Sequence, residues 1–182
     1  MSTCTVPVQT FETREAANVA LADAVADTLR MAIDAKGKAS LMVSGGSTPA
    51  AAYERLSKAD LDWGAVTIGL VDERWVELFD PGSNEAMLRK TLLQGRAAAA
   101  TFLSMKTPDQ SPFIATAEVS ERYEPALQFD AVVLGMGLDG HTASWFPGAM
   151  GLERALDPGN EAVVGPIDAS GAPVAGEHPL RM

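Results

Sequence analysis

The chain has 182 residues, of which 47% are hydrophobic and 21% charged, so a globular protein is expected rather than a disordered one. Its formal net charge of -10 disfavours nucleic acid as a partner, because phosphate backbones are bound by basic surfaces. Cys4 is the only cysteine, so an internal disulfide is excluded and a reducing compartment is expected, with Cys4 itself incidental. No basic and apolar leader and no run of about 18 apolar residues is visible, so we expect a cytoplasmic protein without a membrane partner.

Helices and strands alternate along the chain. Apolar residues at three- and four-residue spacing predict a helix over 17–35 that ends at Gly37, and further helices are predicted from Thr48, as N-cap, and over 83–93 and 112–123. Short apolar runs predict strands at 39–43, 66–71, 101–105, 131–134 (a buried strand) and 162–164. This alternation predicts a Rossmann-like α/β fold of three layers, a mostly parallel sheet with helices on both faces. We expect residues 1–182 to form one domain that is rich in loops after Pro147.

A glycine-rich turn, Gly135–Gly148, follows the predicted strand at 131–134. Glycines at the carboxyl end of a strand let the backbone approach a ligand closely. Asp139 and His141 lie two residues apart in this turn, and histidine is the side chain best suited to proton transfer near neutral pH. The pattern indicates a catalytic loop, although Asp139 alone also fits a turn residue that binds its own backbone.

The segment Ser44–Pro49 lies between a predicted strand and a predicted helix. Its two glycines and three hydroxyl side chains, together with the free N–H groups of a helix start, suit a phosphate. An ordinary strand-to-helix turn fits the same residues equally well. The spacing and the lysine of a Walker A loop are absent.

The charged segment Asp72–Trp75 follows the strand predicted at 66–71. Ligands in open α/β sheets bind beyond the carboxyl ends of the strands, and Arg74 suits a phosphate or a carboxylate. A solvated charge run is the alternative. Three polar loops at strand ends in one small domain favour a common site.

Other chemistries fit the sequence less well. The glycines at 135, 137 and 140 match the dinucleotide fingerprint only formally, because no clear strand ends in Asp or Glu about 20 residues later. No G-x-S-x-G nucleophile elbow is present. His141 and His178 are far apart and Cys4 is remote, so a metal site is not expected, and His178 is predicted to be a surface residue.

Four motifs resemble the glucosamine-6-phosphate isomerase/6-phosphogluconolactonase family, in order and at similar spacing over essentially the whole chain. They are Ser44–Pro49, Asp72–Val76, Ser83–Met87 and Gly135–Gly148. The deaminases of this family typically have Asp-Glu-Tyr where this chain has Asp-Glu-Arg, and a glutamate where it has Phe146. The resemblance is therefore closer to the lactonase branch.

The resemblance implies hydrolysis of 6-phospho-D-glucono-1,5-lactone to 6-phospho-D-gluconate, in the oxidative branch of the pentose phosphate pathway, without metal or cofactor. In that reaction His141 is expected to activate water as a general base, and Asp139 to orient it. Phosphate and substrate contacts are expected from Ser44, Gly45, Gly46, Ser47, Thr48, Asp72, Arg74 and Gly137. Asn84 is expected to cap a helix, with contact to the substrate as the alternative, and the protein is expected to be a monomer whose partner is the sugar phosphate.

Family members usually continue beyond the segment Pro179–Met182 into another strand and helix, and the arginine of this segment typically reaches the phosphate. The resemblance thus adds Arg181 to the expected phosphate ligands and makes the chain look shortened at its C-terminus. An exposed sheet edge is expected, and Arg181, as the penultimate residue, is expected to be mobile.

Three functions remain open at this point. The first is the lactonase. The second is a deaminase or isomerase acting on an amino-sugar phosphate, which Arg74 and Phe146 disfavour. The third is a non-catalytic module that binds sugar phosphates, which the pair of Asp139 and His141 disfavours.

Overall fold

The computed structural model describes residues 7–182, and Cys4 lies outside that range. The helices are α1 (Arg14–Lys36), α2 (Ala50–Leu56), α3 (Asn84–Thr91), α4 (Pro112–Tyr123) and α5 (Leu152–Leu156). The strands are β1 (Ala39–Val43), β2 (Val66–Leu70), β3 (Thr101–Leu103), β4 (Ala131–Val133), β5 (Ile167–Asp168) and β6 (Leu180–Arg181). Four short 3₁₀ turns lie between them in this described part of the chain.

The main sheet contains four parallel strands in the order β3-β2-β1-β4. Ala39 pairs with Val66, and Leu41 pairs with Ala131, so β1 has a parallel neighbour on each side. The chain leaves β1 towards β2 and returns later to β4 on the other side. The strand order therefore reverses between β1 and β4, and this switch point is where open α/β sheets bind ligands.

Helices cover both faces of this sheet. Right-handed connections place α2 and α3, which link β1, β2 and β3 in one direction, on one face, and α4, which leads back to β4, on the other. Helix α1 packs against α2 and β1. The predicted three-layer α/β class is thereby confirmed.

The core lies between the central strands and the helices. Leu29, Leu41, Ile68 and Leu88 are fully buried, and burying each side chain stabilises the fold by about 1.5–3 kcal/mol. Two buried tyrosines tie helices to strand ends: Tyr53 Oη donates to the carbonyl of Ser44 at 2.9 Å, and Tyr123 Oη donates to that of Leu103 at 2.8 Å. Burial raises the pKa of both phenols well above the usual range.

Several predicted boundaries are confirmed and others are wrong. Strand β1 and helix α4 have the predicted bounds, and Gly37 ends α1 in the left-handed conformation, with φ 72°. Helix α2 begins at Ala50, and its N-cap is Pro49 rather than Thr48, without a side-chain capping bond. Strand β4 is an edge strand, so Val132 is 47% exposed rather than buried.

The strand predicted at 162–164 does not form. Val163 and Val164 pack against the core, but Gly165 and Pro166 follow at once, and a proline has no N–H for a sheet ladder. Strand β5 forms just after this proline and pairs antiparallel with β6. The loop-rich character predicted after Pro147 is confirmed, since α5 and these two short strands are the regular elements described there.

Candidate active site

A cleft of about 250 Å³ opens beyond the carboxyl ends of β1, β2 and β4. Most of the residues predicted for the site line it: Ser44, Gly45, Gly46, Asp72, Arg74, Gly137, His141 and Arg181. The three polar loops that the sequence separates by dozens of residues therefore converge at the switch point of the sheet. This convergence is what parallel strands produce, because their carboxyl ends share one edge.

Three predicted residues lie outside the cleft wall. Ser47 and Thr48 are exposed, and the chain turns at Gly46, whose φ is +92°. Gly46 is therefore the last residue of its loop to reach the cleft. Asp139 does not line the cleft either and contacts it through His141.

The glycine-rich turn folds back over itself and fixes the imidazole of His141. The N–H of Gly137 donates to the carbonyl of His141 at 2.8 Å, and Thr142 Oγ1 donates to the carbonyl of Gly135, also at 2.8 Å. Gly140 has φ +84°, a conformation that glycine adopts without strain. A Cβ on Gly137 would overlap the imidazole, so the ring lies directly against the backbone.

Asp139 and His141 form a hydrogen-bonded pair with a defined orientation. Asp139 Oδ1 lies 2.5 Å from His141 Nδ1, and this bond lowers the pKa of the carboxyl. An ionised carboxylate only accepts, so Nδ1 carries the proton and Nε2 of the neutral ring keeps a free lone pair. The ring of Phe146 lies 4.3 Å away, centroid to centroid, and supports the imidazole from the side.

Arg74 and Arg181 both line the cleft, and the charge of Arg74 acts on that of Arg181. Their backbones form an isolated antiparallel β-bridge, so Arg74 extends from the loop after β2 and Arg181 from the neighbouring strand β6. Arg74 Nη1 donates to the carbonyl of Gly82 and Arg181 Nη2 to that of Ala175, each at 2.6 Å. Among residues 7–182, neither arginine is ion-paired to a carboxylate, and both Nε atoms are buried without a partner.

Burial, and then the neighbouring charge of Arg74, lower the pKa of Arg181 to about 10. Two like charges held together in a partly desolvated cleft repel each other. A doubly charged anion between them would remove that repulsion and accept their remaining hydrogen bonds. The positive charge and the unpartnered donors of the arginine pair therefore suit an anion.

The expected mobility of Arg181 is wrong. The residue is 4% exposed, and its backbone lies beside the loop after β2. Glu73 and Met182 exchange two backbone hydrogen bonds of 3.0 Å, and the N–H of Trp75 donates to the carbonyl of Leu180 at 2.9 Å. These long-range bonds tie the segment into the fold, which is the condition under which a chain end does not fray.

Two polar side chains connect the loops, and one of them, Ser144, is a residue that the sequence analysis does not single out. Ser144 Oγ donates to Asp72 Oδ2 at 2.6 Å, and Asn84 Nδ2 donates to the carbonyl of Asp72 at 2.9 Å. Asn84 is not the cap of α3, since Ser83 accepts the bond from the N–H of Ala86. Instead Asn84 lines the cleft, and Asp72 is the point where the end of β2, the start of α3 and the His141 turn meet.

Glu73 is the buried centre of the loop after β2. Its carboxylate accepts the N–H groups of Arg74, Asn84 and Glu85 at 2.7–2.8 Å and the hydroxyl of Ser83 at 3.2 Å. Burial raises the pKa of this carboxyl, and the four donors oppose the rise. The side chain thereby fixes the conformation that aims Arg74 into the cleft. The sequence signal for Glu73 is its place just after a buried strand.

Within residues 7–182, histidine, cysteine and acidic side chains form no group of three or more that could hold a metal ion. None of the helices in that part of the chain combines the length and the apolar character needed to cross a bilayer.

Comparison with known proteins shows what this chain is similar to. The family model of glucosamine-6-phosphate isomerases/6-phosphogluconolactonases matches residues 12–174. A 6-phosphogluconolactonase of Xylella fastidiosa is 43% identical over 93% of this chain and 66% of its own length. One of Rhizobium meliloti is 45% identical over 89% of this chain and 70% of its own length. The chain thus spans about two thirds of the length of these curated relatives.

Solved structures agree with the fold described above. A 6-phosphogluconolactonase from Shewanella baltica is 42% identical, with a TM-score of 0.82 over 94% of this chain and 71% of that one. The enzyme from Thermotoga maritima is 26% identical, with a TM-score of 0.73 over 90% and 71% of the two chains. A monomeric glucosamine-6-phosphate deaminase shares the fold alone, at 18% identity and a TM-score of 0.69 over 97% and 74%.

Proposed function

The chain belongs to the glucosamine-6-phosphate isomerase/6-phosphogluconolactonase family, and we propose that its cleft hydrolyses 6-phospho-D-glucono-1,5-lactone to 6-phospho-D-gluconate. One juxtaposition carries the proposal: the unpaired arginines Arg74 and Arg181 share a cleft with His141, whose Nδ1 is bound by a carboxylate. A small molecule that carries both a dianion and a hydrolysable carbonyl would use the arginines and the histidine together.

The phosphate group binds between the two guanidinium groups in this proposal. Each charge-assisted hydrogen bond contributes about 1.5–3 kcal/mol, more than a neutral one. Gly45 and Gly46 bring backbone close to the same space, since a Cβ on Gly45 would overlap Asn84. Fixing the phosphate holds the lactone carbonyl near His141, so the reaction gains from positioning.

The hydrolysis uses only water and side chains of this chain. His141 Nε2 takes a proton from water as the oxygen of that water attacks the carbonyl carbon. Asp139 stabilises the imidazolium that forms, through the 2.5 Å bond to Nδ1. The bond between the carbonyl carbon and the ring oxygen then breaks, and His141 returns the proton to that oxygen. The open-chain acid leaves as the product.

One observation favours this reaction over an amino-sugar deamination, and another favours it over a module that only binds. Phe146 is only 3% exposed. Its ring centroid lies 4.3 Å from that of His141, and the guanidinium carbon of Arg181 lies over the Phe146 ring, 5.4 Å from its centroid. An acidic residue at this position is what the resemblance associates with the deaminases. A module that only binds would need the arginine pair but not the bond between Asp139 and His141.

The domain organisation, the oligomeric state and the cellular location are also proposals. We propose a single domain, because Arg181 and the loop after β1 line the same cleft. We also propose a cytoplasmic monomer, and light scattering on the purified protein tests its mass.

The direct test follows disappearance of the phosphorylated lactone above its spontaneous hydrolysis. Glucosamine 6-phosphate serves as the control substrate, because it carries the same phosphate on a sugar that needs deamination. Faster loss of the lactone with no release of ammonia supports the proposal. Release of ammonia would support the deaminase, and binding without turnover would support the module.

A further inference from the structure

His178 is the histidine that the proposed chemistry leaves unused. It was expected at the surface, yet its side chain is only 33% exposed. Nε2 lies 3.4 Å from Asp80 Oδ1, and the ring lies against Gly82, where a Cβ would be 2.6 Å from His178 Cδ2. The imidazole thus covers the backbone of Gly82 and contacts the carboxylate next to it.

Gly82 connects this contact to Arg74. The N–H of Gly82 donates to Asp80 Oδ1 at 2.7 Å, and its carbonyl accepts from Arg74 Nη1 at 2.6 Å. The peptide groups on the two sides of Gly82 are therefore both hydrogen-bonded. Moving the His178 ring away would free the loop that orients the Arg74 guanidinium.

The same histidine also precedes Arg181 by three residues in a segment that is paired to the loop after β2. The N–H of Trp75 donates to the carbonyl of Leu180, and Arg74 and Arg181 bridge next to it. His178 therefore stands where the loop that holds one arginine meets the strand that carries the other.

We infer that His178 is a positioning residue for the arginine pair, which it aligns through Asp80 and Gly82. The inference rests on the proposed function, because it takes the phosphate group as the ligand whose binding depends on the alignment of the two arginines. His178 does not line the cleft, so it acts on phosphate affinity and leaves the chemistry at His141 unchanged.

The first readout is calorimetric binding of 6-phosphogluconate to the 182-residue chain, with gluconate as the unphosphorylated comparison. His178→Ala should weaken 6-phosphogluconate about three- to tenfold, the effect of one misaligned charge-assisted contact. His178→Gln, which keeps a long polar side chain beside Asp80, should restore most of the affinity. Glu177→Ala changes the exposed neighbour and should have no effect.

A second variant, Gly82→Ala, displaces the imidazole of His178 and leaves residue 178 itself unchanged. Gly82→Ala places a methyl group where His178 Cδ2 lies, so its affinity should match that of His178→Ala. In the kinetic assay both variants should raise KM for the phosphorylated lactone and leave kcat, and the reaction of unphosphorylated gluconolactone, unchanged.

The outcomes separate this inference from the proposed function. If Arg74→Ala abolishes the preference for 6-phosphogluconate while His178→Ala and Gly82→Ala bind it normally, the phosphate site stands and the role of His178 is wrong. An equal loss of affinity for gluconate and 6-phosphogluconate would also overturn the inference, because it would show that His178 has only a general structural role. If the unsubstituted chain does not prefer the phosphorylated ligand, the proposed function fails and the inference with it.

Discussion

Gly137 and His141 are joined by a hydrogen bond of 2.8 Å from the N–H of the glycine to the carbonyl of the histidine, and the imidazole lies on the glycine's own Cα. The bond closes the turn, and the missing side chain leaves the space that the ring occupies. The orientation of the proposed base therefore depends on a residue that carries no functional group.

Gly137→Ala should lower kcat for the phosphorylated lactone by about 10²-fold, because the new methyl group displaces the imidazole and a misplacement near 1 Å has this effect. The thermal midpoint should change little, since the atoms in the way are the ends of side chains. Gly165→Ala is the matched control, because a Cβ there meets nothing within 4 Å. Equal activity of the two variants would show that the imidazole does not act from this position.

His141→Ala should lower kcat by about 10²–10⁴-fold, the usual effect of losing a general base. Binding of 6-phosphogluconate should change little, because the contacts assigned to Arg74 and Arg181 remain in the variant. The measurement is turnover with calorimetry on the same preparation. Near-normal turnover of the variant would assign the base to another residue.

Asp139→Asn tests the carboxylate separately from the imidazole. The amide cannot stabilise an imidazolium and allows the wrong tautomer, so kcat should fall by about 10–10⁴-fold while KM stays within a factor of about three. The side chains are nearly equal in size, so a loss of folding is not expected. A variant with full activity would reduce Asp139 to the turn residue that the sequence also allows.

Glu73→Gln should destabilise the protein by about 1–3 kcal/mol for each N–H donor left unpaired, since an amide NH₂ cannot accept the bonds that the carboxylate accepts. Urea unfolding followed by tryptophan fluorescence measures the change. Glu77→Gln is the control, because that side chain is 88% exposed. Equal midpoints for both variants would contradict a structural role for Glu73.

Local signals predict much of this fold. Strand β1 is an apolar run ended by polar and glycine residues, and α4 begins with a capping serine, Ser111, followed by a proline. Both elements were predicted to the residue because neighbours in sequence determine them. Helix α2 was not, because Thr48 makes no capping bond in the turn that follows Gly46.

Some contacts of the candidate site could also be predicted from the sequence, and others could not. Asp139 and His141 are two residues apart, so their pairing is visible in the sequence. The contact between Ser144 and Asp72 spans 72 residues, and the bonds that hold Arg181 come from the loop after β2. Such contacts depend on strand order and register, which no short motif specifies, and this is why mobility was wrongly expected for Arg181.

The preference for a phosphorylated lactone tests the central claim most directly. The measurement is kcat/KM for 6-phosphogluconolactone and for unphosphorylated gluconolactone, with the unsubstituted chain and with Arg74→Ala. Two charge-assisted contacts of about 1.5–3 kcal/mol each predict a preference of about 10²–10⁴-fold. Arg74→Ala should reduce that preference about 10- to 100-fold through KM, without slowing the unphosphorylated substrate. Equal kcat/KM values for the two lactones, or equal losses on both in the variant, would contradict the assignment of the arginine pair to phosphate.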